Sequence, residues 1–423
     1  MNDTTPAARV LQGLQNDRAD LEDFYRHLHQ HPELSHQETA TAESVRSRLE
    51  DAGYDVSFGI GGTGVVGVLR NGDGPRVLLR ADMDALPVQE ATGLAYASTV
   101  TTTDPSGDTV PVMHACGHDV HVTALLGAAG LMASSRDQWK GTLVALFQPA
   151  EEVGDGARGM VDDGAFADAV GAVDVALAQH VMPVPAGRIG TRPGAILSAA
   201  DSMRVTVHGR GAHGSMPQAA IDPVVLAAMI VVRLQTVVSR EVAPTEPAVL
   251  TIGSLRAGSK SNVIGDHAVL ELNVRTYNEQ TRTSVLDAVR RIVTAECQAS
   301  DSPKPPEFEL FDRFPATTND TATTEKVAAA FADHFGERHF DAPLESASED
   351  FSDLPEALGV PYSYWIFGGA DPSAYQAAED AGRVAQDIPV NHSPFFAPVL
   401  QPTLDTGVEA LVVAALAYLG TGG

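Results

Sequence analysis

The chain has 423 residues, too many for one ordinary hydrophobic core, so two domains are the expectation. A composition of 44% hydrophobic and 20% charged residues describes a globular protein, and 55 acidic against 28 basic residues give a net charge of −27. That sign works against binding nucleic acid or anionic membrane, which require clustered Lys and Arg. Cys116 and Cys297 are the two cysteines, too few for a disulfide framework. The N-terminus lacks a signal-peptide core, and no apolar run reaches the roughly 18 residues that span a bilayer, so a cytoplasmic protein is expected.

In chain order, helical periodicity covers 18–52 and breaks at His31-Pro32, because the residue before a proline disfavours helix. Four buried strands follow, "GVVGVLR" (64–70), "RVLLRADM" (76–83), "GTLVALFQP" (141–149) and "VDVALAQHV" (173–181), with an apolar helix at 120–135. Strands alternating with helices imply a largely parallel α/β sheet. The middle reads differently: strand 201–209, helix 222–240, strands 248–255 and 268–276, helix 279–299, strand 307–312. That β-α-β-β-α-β order is a ferredoxin-like split motif, a compact unit of its own. From about 315 helices and short strands return, ending in a helix at 402–419. The expectation is a discontinuous α/β domain, 1–198 and 315–423, interrupted by a smaller one, 199–314.

Two motifs carry little. "GTGVVG" (62–67) has dinucleotide-loop spacing but runs into a strand instead of a helix, so it reads as a glycine turn. "RHLHQHPELSHQE" (26–38) holds four histidines with nothing else to fix a metal, and reads as a solvated helix and turn.

"MHACGHDVH" (113–121) is different, with three histidines, an aspartate and a cysteine in nine residues. Cys116 and His118 sit immediately before a helix. Other metal-type side chains occupy the same topological position, at the carboxyl ends of strands, where open α/β sheets bind ligands. Asp82 and Asp84 close one strand, Glu151 and Glu152 follow another, His180 ends a third, and His392 lies in a loop. Two adjacent glutamates cannot be cheaply buried as unpaired anions. One on a metal, with its neighbour holding the attacking water, resolves the cost and supplies a general base.

The runs "RADMDALPVQE", "MHACGHDVH", "FQPAEEVGDGARGMVDDG", "GRGAHGSMP", "NVIGD", "ASEDF" and "NHSPFF" resemble the M20 metallopeptidase family, nearest its amidohydrolases of N-acyl amino acids. The resemblance implies a zinc-peptidase-like catalytic domain with an inserted lid that forms a homodimer. It also implies two divalent metal ions, zinc or manganese, with cobalt or nickel as further options. Cys116 would bridge both ions, His118 and His180 would complete one shell, and Glu152 and His392 the other. Glu151 would be the general base and later the proton donor to the leaving amine. Asp84 would orient the metal ligands. Asp82 stands where other branches carry a metal histidine, a place His118 would fill. His213 would reach the substrate carbonyl, and Asn262 and Arg275 would grip the substrate carboxylate. The chain departs from the pattern at Gly265, where proline is usual, and lacks the Gly-Thr pair before Arg275. Alternatives are a dipeptidase using the same centre, a Cys116 nucleophile paired with His118 or His121, and a non-catalytic carrier, against which an intact Glu151 argues.

Overall fold

The computed structural model describes residues 5–421, which form two compact units. The first contains the chain up to Ile196, Asn319–Pro343, and Asp350 onward. The second contains Leu197–Thr318 and a short polar segment, Leu344–Glu349, whose membership nothing in its local sequence announces.

The first unit is built on a nine-stranded sheet. Its centre runs in the order Gly64–Asn71, Trp139–Gln148, Arg76–Asp82, Val175–Pro185, Tyr362–Ala370. From Trp139–Gln148 to Tyr362–Ala370 the neighbours pair in parallel, while Gly64–Asn71 and Asp55–Ile60 add antiparallel strands at one edge. Continuous burial in the central strands, such as Val77 to Asp82, shows a sheet covered on both faces. Helix His118–Ser134 is buried almost all round because it is packed against helices Leu14–Gln30 and Leu400–Leu416 as well as the sheet. Gly64 opens a strand, as the glycine turn requires.

Register does the chemical positioning. Asp82 pairs with Gln148 on one side, and Arg80 pairs with Ala178 on the other, which sets Asp82 level with His180. Three adjacent strands therefore end their buried stretches together, two of them ahead of the turns that carry Asp84 and Glu151.

The second unit has four antiparallel strands in the order Ala248–Ala257, His267–Thr276, Ala199–His208, Glu307–Phe314. Helices Pro223–Thr236 and Glu279–Ala299 cover one face, burying Met203, Val205, Leu270, Leu272 and Val274. This is the ferredoxin-like order. Continued by a π turn, the first helix runs Pro223–Glu241, long and apolar enough to cross a membrane by length and composition alone. Its apolar run is interrupted by Arg233, and it uses Leu226, Ile230 and Leu234 to pack on the sheet. Its outer face exposes Val224, Val225, Met229 and Val232. A two-stranded ribbon, Ala212–His213 with Val263–Ile264, stands apart from the main sheet.

Candidate active site

Backbone geometry gathers the donors in the first unit. Gly117 adopts a left-handed conformation (φ 81°) at the head of helix His118–Ser134, and a Cβ there would lie 2.4 Å from Val181 Cγ1. Only glycine can therefore set Cys116 and His118 on either side of that turn. Ala150 is also left-handed (φ 51°), bending the chain sharply after strand Trp139–Gln148 so that Glu151 and Glu152 fall in one helical turn. Its N–H donates to Glu38 Oε1 at 2.8 Å. His392 is a third left-handed residue (φ 69°), pinned by its N–H to Ala115 O at 2.8 Å, while Asn391 Nδ2 donates to Val181 O at 3.2 Å. Non-glycine residues persist in such conformations when their surroundings over-determine them.

The contacts form a chain. Cys116 Sγ lies 3.4 Å from His180 Nε2, the nearest donor atoms of Cys116, His118 and Glu152 all fall within 4.8 Å of one another, and Glu152 Oε2 lies 3.3 Å from His392 Nε2. Asp84 ties two of these together, accepting from His118 Nδ1 at 3.2 Å and from the Glu152 N–H at 2.9 Å, with Ser35 Oγ donating at 2.7 Å. His118 Nε2 is thereby left facing the cluster. It is buried without a hydrogen-bond partner, and so is Glu152 Oε1, 3.7 Å away. Glu151 is buried with Oε2 3.9 Å from the same nitrogen.

Unpartnered polar atoms that face one another at this depth are costly, and a cation joining them would remove the cost. Burial lowers the pKa of His118, but Asp82 and Asp84 outweigh it and raise it well above the ordinary value. A metal would therefore have to displace the Nε2 proton, while the other groups agree with a metal site directly. Burial raises Glu152 to about 8, against the pull of His118 and with Asp84 adding to the rise. Burial, with Glu152 beside it, raises Cys116 to about 12. Burial also lowers His180 and His392, keeping both imidazoles neutral, the form that ligates metal. A thiol at that value is a poor nucleophile by itself, whereas a nearby divalent cation would draw out both anions. The donor set fits divalent metal ions.

Asp82 does not offer a free carboxylate. Arg80 Nη1 donates to its Oδ2 at 2.6 Å and His121 Nδ1 to its Oδ1 at 2.5 Å. His121 Nε2 accepts from the Val181 N–H at 2.8 Å, so both ring nitrogens are committed. His121 packs against His180 with ring centroids 4.5 Å apart and against His118 at 5.5 Å. It buttresses the donors instead of joining them. In the sequence His121 stands only as a possible partner for a nucleophilic thiol, and nothing local marks Arg80. The i, i+3 spacing of His118 and His121 on one helix was the available signal.

The reading of 26–38 as a solvated helix and turn is corrected, because Leu28, His29, Leu34 and Glu38 within it are buried. His29 is fully buried, with Nδ1 2.6 Å from Asp119 Oδ2 and Nε2 3.1 Å from Glu90 Oε1. Burial, the largest influence, lowers its pKa, but the bonds to Asp119 and Glu90 outweigh it and hold the imidazolium up to about 10. Leu21, Phe24, Tyr25 and Leu28 mark the same buried face, so helical periodicity could have placed His29 inside.

In the second unit, His213 and Asn262 are brought together on the ribbon: His213 pairs with Val263, and the Gly214 N–H donates to Asn262 O at 2.8 Å. Both side chains are exposed. The Ser215 N–H donates to His213 Nδ1 at 3.2 Å, which leaves the neutral ring its proton on Nε2, available to donate outward. Arg275 lies instead on strand His267–Thr276, half-buried, bonded to Asn273 and Ser348.

Comparison with known proteins places this geometry. The model of peptidase family M20/M25/M40 matches residues 78–390. An N-acetyl-L-cysteine deacetylase of Bacillus subtilis is 38% identical over 81% of this chain and 79% of its own. Thermostable carboxypeptidase 2 of Saccharolobus solfataricus is 36% identical over 75% of this chain and 80% of its own. Among solved structures, the Bacillus subtilis YXEP protein, described as a dinuclear metal-binding peptidase of the M20 family, superposes with a TM-score of 0.75. It is 29% identical and is covered over 95% of this chain and 98% of its own.

Proposed function

The chain belongs to peptidase family M20/M25/M40 and is a hydrolase of amide bonds, and from that premise we propose that it cleaves N-acyl amino acids into a carboxylic acid and a free amino acid. The observation that carries the reading is the pair Glu151–Glu152, one carboxylate carrying a buried unpartnered oxygen beside His118 Nε2 and the other next to it.

Cys116, His118, Glu152, His180 and His392 are the proposed ligands of two divalent ions, zinc or manganese with cobalt or nickel as options, which when bound polarise the scissile carbonyl and acidify water. Asp84, which accepts from His118 Nδ1 and the Glu152 N–H, would hold those two residues in place for the ions. Glu151 takes the proton of the attacking water and returns it to the nitrogen of the leaving amine. His213 Nε2–H is assigned as donor to the carbonyl oxygen as negative charge develops there. Arg275 and Asn262 are assigned to the carboxylate of the substrate. Arg275 suits this task because, among the described residues, no carboxylate lies within ion-pairing distance of it, although the chain carries 55 acidic residues.

The carboxypeptidase relative favours a second reading, in which the same centre cleaves dipeptides or peptide C-termini. The exposed Val224, Val225, Met229 and Val232, on a helix beside the edge strand Ala248–Ala257, support a homodimer formed through the second unit, which sedimentation at micromolar concentration would test. Both cysteines are buried and unpaired, which suits the cytoplasm as proposed location.

The decisive experiment assays N-acetyl and N-benzoyl amino acids alongside dipeptides, with metal analysis of the same sample. The highest kcat/KM is expected on an N-acyl amino acid, with up to two divalent ions per chain and loss of activity in chelator. A clear preference for dipeptides overturns the substrate assignment, and full activity in demetallated protein overturns the metal assignment.

A further inference from the structure

Strand His267–Thr276 points Asn273 and Arg275 to the same face of the second unit's sheet, two residues apart. Ser202 stands opposite Asn273, and Ala200 opposite Arg275. The small Ala200 leaves room for a guanidinium to lie along the sheet, and Ser202 Oγ accepts from Asn273 Nδ2 at 3.2 Å, turning the amide so that its oxygen faces Arg275. Arg275 Nε then donates to Asn273 Oδ1 at 2.8 Å.

A second restraint comes from the returning segment Leu344–Glu349. Leu197 bridges Glu345, and the Ser198 N–H donates to Ala347 O at 2.8 Å, which docks the segment beside the strand. Arg275 Nη1 donates to Ser348 Oγ at 2.6 Å, Ser348 Oγ lies 3.1 Å from Ser198 Oγ, and Ser198 Oγ donates to Ser346 O at 2.9 Å. Since the hydroxyl proton of Ser198 goes to a carbonyl, that of Ser348 goes to Ser198. The bonds run in one direction, from Arg275 through Ser348 and Ser198 to the backbone, and such chains strengthen their members.

Both acceptors that hold the guanidinium are neutral. Two of its five N–H groups are fixed and three remain for an incoming anion. A half-buried guanidinium held only by neutral groups keeps its charge uncompensated, and burial lowers the pKa of Arg275 for that reason. An acidic partner in place of either neighbour would have consumed the charge.

We infer that Asn273 and Ser348 are positioning residues that fix the plane of the Arg275 guanidinium, so that its remaining N–H groups meet a planar substrate carboxylate. This rests on the assignment of Arg275 to the carboxylate. The segment Leu344–Glu349 thereby contributes to specificity: it selects acids over the corresponding neutral amides through the orientation of one side chain.

The test uses the metal-loaded enzyme and a matched pair, N-acetyl-L-leucine and N-acetyl-L-leucinamide. Ser348→Ala and Asn273→Ala should each raise KM for the acid about tenfold, the usual worth of one hydrogen bond to a charged group. They should leave kcat and the KM for the amide near wild type. Ser348→Thr keeps the hydroxyl and should restore wild-type KM, which separates positioning from general loosening. Equal changes for acid and amide, or no change for the acid, overturn the inference. Arg275→Ala discriminates the premise. If it leaves the preference for acid over amide intact, or if the wild type hydrolyses neither compound, the carboxylate assignment fails and the inference with it. If Arg275→Ala abolishes the preference while Ser348→Ala and Asn273→Ala do not touch it, positioning alone fails.

Discussion

The two regions assigned to the chemistry are built in opposite ways. Around Cys116 and His118 nearly every polar atom is buried and held by a second residue, and that residue by a third: Arg80 and His121 on Asp82, Ser35 on Asp84, Glu38 on Ala150. The exceptions, His118 Nε2, Glu152 Oε1 and both ring nitrogens of His114, stand out for that reason. The ribbon carrying His213 is exposed, two residues long on each side, and fixes only the tautomer of the ring through Ser215. A deeply buried cluster shows through its unpartnered atoms where it would hold a cation. An exposed donor announces nothing until substrate arrives. The first region should respond to substitution through metal content, the second through turnover alone.

The largest expected effect sits inside the buried region but should behave like the exposed one, through turnover alone. Glu151→Gln retains size and removes proton acceptance, so kcat should fall by about 10³–10⁴ with both metals retained. Metal loss on this substitution would make Glu151 a ligand and merge it with Glu152. A near wild-type rate would move the base elsewhere.

Next comes His213→Ala. Removing one donor from a developing oxyanion costs about 10²–10³ in turnover. The variant should keep its metals and its Tm, because the side chain is exposed and bonds only to Ser215 within its own turn. A raised KM with unchanged kcat would show that His213 only binds substrate.

This contrast also decides what could be read before any coordinates. Hydrophobic periodicity marks the strands, and residues just past a buried strand lie at its carboxyl edge. That logic reached Asp82, Asp84, Glu151, Glu152 and His180 together, because each follows or ends a run such as "RVLLRAD" or "TLVALFQ". Partners supplied from distant segments were out of reach. His121 bonds across 39 residues to Asp82, and His29 across 90 to Asp119, and neither partner is implied by local pattern. The polar segment Leu344–Glu349 joins the second unit, and its Ser348 meets Arg275 73 residues away. The central strand Tyr362–Ala370 pairs in parallel with Val175–Pro185, far back in the chain, so local pattern shows a short strand there but not its central place.

A smaller effect tests whether the buttress matters. His121→Leu removes the bonds to Asp82 and to the Val181 N–H, one residue beyond His180, without replacing a proposed ligand. Residues that orient metal ligands typically affect metal affinity by about 10- to 100-fold. The dissociation constant for zinc should weaken within that range, with activity restored at raised metal concentration. An unchanged constant would demote His121 to packing.

The smallest effect on activity, and the sharpest on stability, concerns His29. It lies in the buried region yet touches no proposed ligand, bonding only to Asp119 and Glu90. Its folded pKa of about 10 lies above an unfolded value of about 6.5. For a histidine the sign follows directly: the imidazolium contributes its full stabilisation below about pH 6.5, and the contribution drains away as pH rises toward 10. The contribution is on the order of a few kcal/mol at most, because burying an ion triad also carries a desolvation cost. In metal-loaded protein, His29→Gln should lower Tm by several degrees at pH 6, and the gap to wild type should close steadily between pH 6.5 and 10. Activity at neutral pH should change by no more than a few-fold, since Asp119 keeps its bond from the Val120 N–H and the helix that begins at His118 keeps its first turn. Parallel melting curves across that range would mean that His29 is neutral in the folded protein. Loss of metal on His29→Gln would mean that the triad His29–Asp119–Glu90 belongs to the support of the metal ligands, and the boundary drawn between the buried donors and the rest of the buried region would have to move outward to include it.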